Sequence, residues 1–385
     1  MRKKLLLLSL CAAYLLLAAY PGAVAEPVRT GMSALLTPFR AIQQYIASEE
    51  KFIDPKNQTV VSETIQELRT NFHRIENLPS HYHRLPGFDE NIRAVTDLLD
   101  DSSRRFSEGK TSYAWWRLRK LPSDCFTCHA TYKVDNRYSN AGVIDQSLDT
   151  LNRARFLLAT RQFNEAQEAF LAVLRDHEYR SDSNEALRSL VLISTRINRN
   201  PADGAAQLRK IVKESSLPEE DVREALEWSR ELDAWSKESS QLKTSSVQRA
   251  EQLISLGSKI TPDSPQNDVA LLRGTAMLHQ LLEEGKISSE LRPRALYLLG
   301  FAYTKLPLFF SESWAEMYLE RCISETPGTA IAQKAYRTYR DHIVDDYTGT
   351  AGTEIPAEVK LHLDDLRHKA FGVGTFSPLA RKSTS

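Results

Sequence analysis

Apolar residues in the first third of the chain recur at steps of three and four. Val61, Ile65, Leu68, Phe72 and Ile75 keep that rhythm unbroken. Met32, Leu35, Leu36, Phe39, Ile42 and Ile46 form a stripe before them, and Ile92, Val95, Leu99 and Phe106 one after. A fourth runs Ala114, Leu118, Leu121, Cys125, Cys128 and Tyr132. Such steps place the apolar residues on one face of an α-helix, so each stripe predicts an amphipathic helix. Punctuation falls between them: Pro79 follows the second helix, Pro86-Gly87 leads into the third, and Gly109 closes it. Two prolines fall inside the pattern. Pro38 should kink the first helix, and Pro122 should kink the fourth or restart it with Ser123 and Asp124 in a new first turn. Four helices with such seams predict a bundle, with Cys125 and Cys128 facing its interior.

Beyond Ala141-Gly142 the chain reads as helix after helix. Ala154, Leu157, Phe163, Ala166, Phe170 and Val173 are spaced as in a tetratricopeptide unit, and a closer copy spans 293 to 328. There Leu296, Leu299, Gly300 and Tyr303 make a first helix, and Ala315, Leu319, Cys322 and Pro327 follow through a second. Small residues at Gly300 and Ala315 let two helices approach, and three extra residues sit around Leu306-Pro307-Leu308-Phe309-Phe310. The match to that repeat family is good at 293 to 328 and loose at 147 to 180; residues 183 to 290 are helical but degenerate. Cys322 takes a small buried repeat position, and Met277 and Met317 read as core residues. A turn at 349 to 355 precedes a last helix at 356 to 369. Stacked helical hairpins form a solenoid whose concave face binds proteins. The fold class expected is therefore all-α, a four-helix bundle followed by an α-solenoid, with domains at 26–140 and 141–370 and a disordered tail at 371–385.

Composition agrees. Among 385 residues glycine numbers only 15, and long β-branched runs are scarce, which favours helices over strands. Lys+Arg and Asp+Glu are both 50, so the net charge is zero, without the basic excess that a nucleic-acid binder needs to meet phosphate. The first 25 residues are set aside from the fold. A basic Met1-Arg2-Lys3-Lys4, an apolar run from Leu5 to Ala19 and Ala23-Val24-Ala25 before Glu26 read as a cleaved secretory signal, and place the rest in a bacterial periplasm. An uncleaved membrane anchor is the minor alternative. Leu8-Ser9-Leu10-Cys11 is a poor lipoprotein box, because Leu10 is bulky where a small residue is wanted.

Setting Cys11 aside leaves Cys125, Cys128 and Cys322. Cys125-Phe126-Thr127-Cys128-His129 is the C-x-x-C-H signature of covalent c-type haem attachment. Two thiols at i and i+3 share a helix face and can add to the two vinyl groups of one porphyrin edge. His129 then stands where it can coordinate the iron. A thioredoxin-like dithiol needs a βαβ setting, a zinc site needs more ligands at fixed spacing, and a Cys125–Cys128 disulfide would strain a helix.

A helical domain of this length, ending in Cys125-Phe126-Thr127-Cys128-His129-Ala130-Thr131-Tyr132-Lys133, resembles cytochrome c′ and its low-spin relatives. The resemblance implies one covalent haem c, thioether bonds at Cys125 and Cys128, and His129 as the proximal iron ligand. Low-spin members carry a methionine near the start of the first helix, which makes Met32 the candidate distal ligand. His73, His81 and His83 are rival donors. Pro122 departs from the family, whose last helix runs unbroken. Trp115 and Trp116 should place one ring inward and one outward.

These readings point to a periplasmic monohaem cytochrome that transfers electrons, with the helical repeats docking a redox partner protein in the periplasm or at the membrane. A five-coordinate haem that binds or senses a small gas such as nitric oxide is the alternative, as is a scaffold or assembly protein with a secondary haem. No nucleophile motif or paired carboxylates suggest an enzyme, and nothing argues for peroxidase-like activity. Relatives of cytochrome c′ are often dimers, which leaves a homodimer open.

Overall fold

The computed structural model describes residues 26–79, 88–131, 144–239, 246–258, 265–306, 311–350 and 352–372. Residues 1–25, expected to be a signal sequence, and His81, His83, Tyr132, Lys133 and residues 373–385 of the expected tail lie outside them. The chain is all-α; among the described residues the only strands are the two-residue pair Thr348–Gly349 and Gly352–Thr353. No described helix is long and apolar enough to cross a membrane. The packing divides the chain into two compact units, residues 1–148 with 159–161, and residues 149–158 with 162–385.

The first unit contains α1 (Glu26–Ala34), α2 (Leu36–Ala47), α3 (Glu49–Ile53), α4 (Gln58–Glu76), α5 (Phe88–Ser107), α6 (Thr111–Leu118) and α7 (Leu121–Thr131). Helices α4 and α5 pack together; α1 and α2 lie against α4, α6 and α7 against α5, and α3 touches both α2 and α6. All five residues of the unbroken stripe on α4 are buried. The first predicted helix is interrupted at Leu35, upstream of Pro38. Proline has no N–H, and its ring crowds the carbonyl four residues back, here that of Ala34, so the ladder breaks before it. Helix α5 ends as Gly109 predicts. With Gly109 left-handed at φ 78°, its N–H bonds to Phe106 O and that of Lys110 to Arg105 O, the paired bonds of a Schellman ending. The short α3 escaped the apolar pattern. Ser48 caps it by accepting from Lys51 N, and Phe52 is fully buried edge-on to Phe106 at 5.4 Å.

The fourth stripe is split in two. Helix α6 ends at Leu118, Arg119 and Lys120 turn, and α7 starts at Leu121 with Pro122 in its first turn, where a missing N–H removes no helical bond. The core residues of α7 are Leu121, Phe126 and Thr127, all fully buried, whereas Cys125 and Cys128 are half-buried. Cys125 and Cys128 thus flank the most deeply buried side chains of α7 without being exposed themselves. Trp115 is half-buried and donates its Nε1–H to Ile46 O at 3.0 Å; Trp116 is exposed beside Tyr113 and Arg117.

The second unit contains α8 (Thr150–Ala159, its last residue packing with the first unit), α9 (Phe163–Arg175), α10 (Ser183–Leu192), α11 (Pro201–Glu214), α12 (Glu219–Ser239), α13 (Val247–Gly257), α14 (Pro265–Glu283), α15 (Arg292–Tyr303), α16 (Ser311–Glu325), α17 (Ala330–Asp346) and α18 (Ala357–Phe371). Packing runs between helices close in sequence: α11 with α12, α13 with α14, α15 with α16, then α16 with α17 and α17 with α18. Gly300 shows why a small residue stands there. A Cβ on it would come within 2.5 Å of Leu319 Cγ and 3.0 Å of the Leu319 backbone nitrogen. Leu296, Leu299, Tyr303, Ala315, Leu319 and Cys322 are all buried, as their repeat positions require. Polar ties stiffen the stack. Arg188 on α10 pairs with Asp268 on α14 at 2.6 Å and lies over the Trp228 ring of α12. His279 on α14 bonds the hydroxyls of Tyr303 and Tyr318 at 2.7 and 3.1 Å.

Candidate functional site

Helix α7 carries the C-x-x-C-H residues and is anchored by its own core side. Phe126 is 0% exposed, and Leu121 and Thr127 are equally inaccessible. Cys125, Cys128 and His129 follow on the same helix, each half-buried, with both cysteines as free thiols one helical turn apart. Burial drives the Cys125 thiol far above its ordinary value, and the neighbouring Asp124 carboxylate and Cys128 push it the same way. Burial also pushes Cys128 up, to about 12, although the Arg161 guanidinium draws it down. A redox-active dithiol needs a depressed thiol pKa, so these shifts run against thioredoxin-like chemistry.

The imidazole of His129 is held in one state. Its Nδ1 donates to Ala159 O at 2.7 Å. Burial holds the ring's pKa down at about 4 and Arg161 lowers it too, with the hydrogen bond to Ala159 opposing them. The ring is therefore neutral at pH 7, and a neutral ring with its proton on Nδ1 carries the free lone pair on Nε2. A backbone carbonyl on the far nitrogen is the usual outer partner of a metal-bound histidine, fixing its tautomer and raising its basicity. Ala159 can serve because it ends α8, where the last carbonyls lack helical partners. Arg161, two residues on, adopts φ 66°, and Gln162 N bonds back to Leu157 O across it, so an arginine fills the left-handed position that usually takes glycine. Sequence reading missed Ala159 and Arg161. A main-chain acceptor leaves no composition signal, and neither residue belongs to the motif.

Two neighbouring thiols and an imidazole with a free Nε2 are a donor set that fits a covalently held haem. Met32 sits half-buried on α1, which packs on α4 where Gly31 closes against Ile75, whereas α7 packs on α5. The rival His73 is engaged at both nitrogens, Nδ1 with Glu76 Oε2 at 2.9 Å and Nε2 with Asp100 Oδ1 at 2.8 Å. Burial lowers its pKa, but the hydrogen bonds and charges of Asp100 and Glu76 outweigh that and raise it overall. An imidazolium clamped between carboxylates has no lone pair for a metal. His81 and His83 lie outside the described residues. Cys322 is buried and bonds to Pro293 O, and burial pushes its thiol up to about 12, the state of an inert core cysteine.

Comparison of the chain with protein-family models, with curated proteins and with solved structures finds no match in any of the three.

Proposed function

We propose that the chain is a periplasmic monohaem c-type cytochrome that transfers electrons, with a cytochrome c′-like four-helix bundle as its first unit and a tetratricopeptide-like solenoid as its second. The observation that carries this reading is the state of Cys125, Cys128 and His129: two free, half-buried thiols one turn apart and a neutral imidazole whose Nδ1 is taken by Ala159 O. Cys125 and Cys128 would form the thioethers, His129 Nε2 would be the proximal iron donor, and the Met32 thioether the distal one. When bound, the haem supplies the one-electron iron couple. The residues around it set its surroundings. The Ala159 carbonyl orients His129 and makes it a stronger donor. Phe126 holds α7 against the core, and Arg161 adds a positive charge felt at Cys128 and His129.

Packing of the second unit between sequence neighbours supports the solenoid reading, because repeat stacks bury each hairpin against the next. Its role is to dock the protein that exchanges electrons. Expression with a haem-attachment system tests the whole reading. The wild type should carry one covalent haem, and C125S/C128S none. A wild type without covalent haem overturns it. The ferrous spectrum tests the axial set: a low-spin spectrum that becomes high-spin in Met32→Ala supports Met32 as ligand, while an unchanged low-spin spectrum removes it. A high-spin wild type that binds carbon monoxide readily would replace electron transfer with gas binding.

A further inference from the structure

Helices α16 and α17 bring three ligating side chains together away from any sequence motif. His342 and Asp346 stand four residues apart on α17, hence on one face, with His342 Nε2 3.9 Å from Asp346 Oδ2. Glu316 reaches in from α16, and one ligating atom from each of the three lies within 4.8 Å of the others. All three are half-buried.

We propose that Glu316, His342 and Asp346 form a binding site for one divalent transition-metal ion of the zinc class.

The donor set selects the metal. Imidazole nitrogen with two carboxylates suits zinc and its neighbours, whereas magnesium and calcium prefer oxygen alone. At zinc bond lengths of about 2.0–2.2 Å, tetrahedral donors stand roughly 3.4 Å apart, so closing the site asks each side chain to move by about an ångström. Its platform is rigid, since α16 and α17 pack directly and Thr329 caps the start of α17 by accepting from Ala332 N. A separate feature points to a cation. The negative end of a helix favours basic residues, yet the last turn of α17 holds Asp345 and Asp346 and no basic residue. A cation at Asp346 would add favourable charge there. Glu320, one turn beyond Glu316, is not a fourth ligand. Its Oε1 already accepts from Tyr339 Oη at 3.1 Å and bonds His362 Nε2 at 2.9 Å. Three protein donors leave coordination positions for water.

This site does not rest on the haem reading, and its test keeps the two apart. The haem-loaded full chain is stripped with chelator and titrated with zinc by calorimetry, with metal content measured by elemental analysis. The expected result is one zinc per chain and a raised melting temperature. In E316Q and in D346N the affinity falls by at least about tenfold, the scale on which even outer-shell partners of a metal matter. H362A, which lies outside the ligand set, binds as the wild type does. If the chain proves to hold no haem, the titration is run on C125S/C128S/H129A, so that those thiols and His129 do not compete. One zinc remaining in that variant supports the site. No saturable zinc, or E316Q and D346N both binding like wild type, overturns it.

Discussion

Replacing Phe126 with alanine should destabilise the first unit far more than replacing either cysteine flanking it. Phe126 is 0% exposed, while Cys125 and Cys128 are only half-buried, although all three lie within four residues on one helix. Phe→Ala in a packed core costs about 3–5 kcal/mol, combining lost transfer energy with the cavity left behind. Cysteine to serine at a half-buried position is a near-isosteric change that leaves no large cavity and should cost about 1 kcal/mol or less. For a unit of about 125 residues, 1 kcal/mol moves the melting temperature by roughly 4 °C, so F126A should lower it by about 12–20 °C. The assay is differential scanning calorimetry of the full chain in the haem-free C125S/C128S background, with and without F126A. This isolates protein packing from the contribution of a bound cofactor. A shift below about 4 °C for F126A would refute the packing of α7 through Phe126.

Gly300→Ala should destabilise the second unit by about 1–3 kcal/mol despite alanine's higher helix propensity, because the new Cβ meets Leu319 side-chain and backbone atoms at once; urea unfolding with an unchanged m-value checks it. His73 gives a pH signature. Its raised pKa means the folded state holds the proton more tightly, so its stabilisation is full below about pH 6.5, the unfolded value, and is lost as pH rises through the folded value. The melting-temperature advantage of wild type over H73Q should therefore shrink from pH 6 to pH 9, and a constant difference would contradict the Asp100–His73–Glu76 clamp.

The sequence determined what depends on spacing along one chain. The helical class, the stripe of α4, the close approach at Gly300 and the Gly109 ending are local: three-to-four periodicity, a missing Cβ and a left-handed φ each act within a few residues or one helix pair. The grouping of Cys125, Cys128 and His129 is equally local. Tertiary structure decided what those residues face. The break at Arg119–Lys120, which the position of Pro122 signalled, separates α6 from α7, and Phe126, off the predicted stripe, is a side chain of α7 that packing buries completely. The tautomer of His129 depends on a carbonyl 30 residues away at the end of another helix, and a main-chain oxygen is the same in every residue type. Glu316 joins His342 and Asp346 only because α16 and α17 pack side by side. Side-chain chemistry was legible one residue at a time, and its convergence belonged to packing.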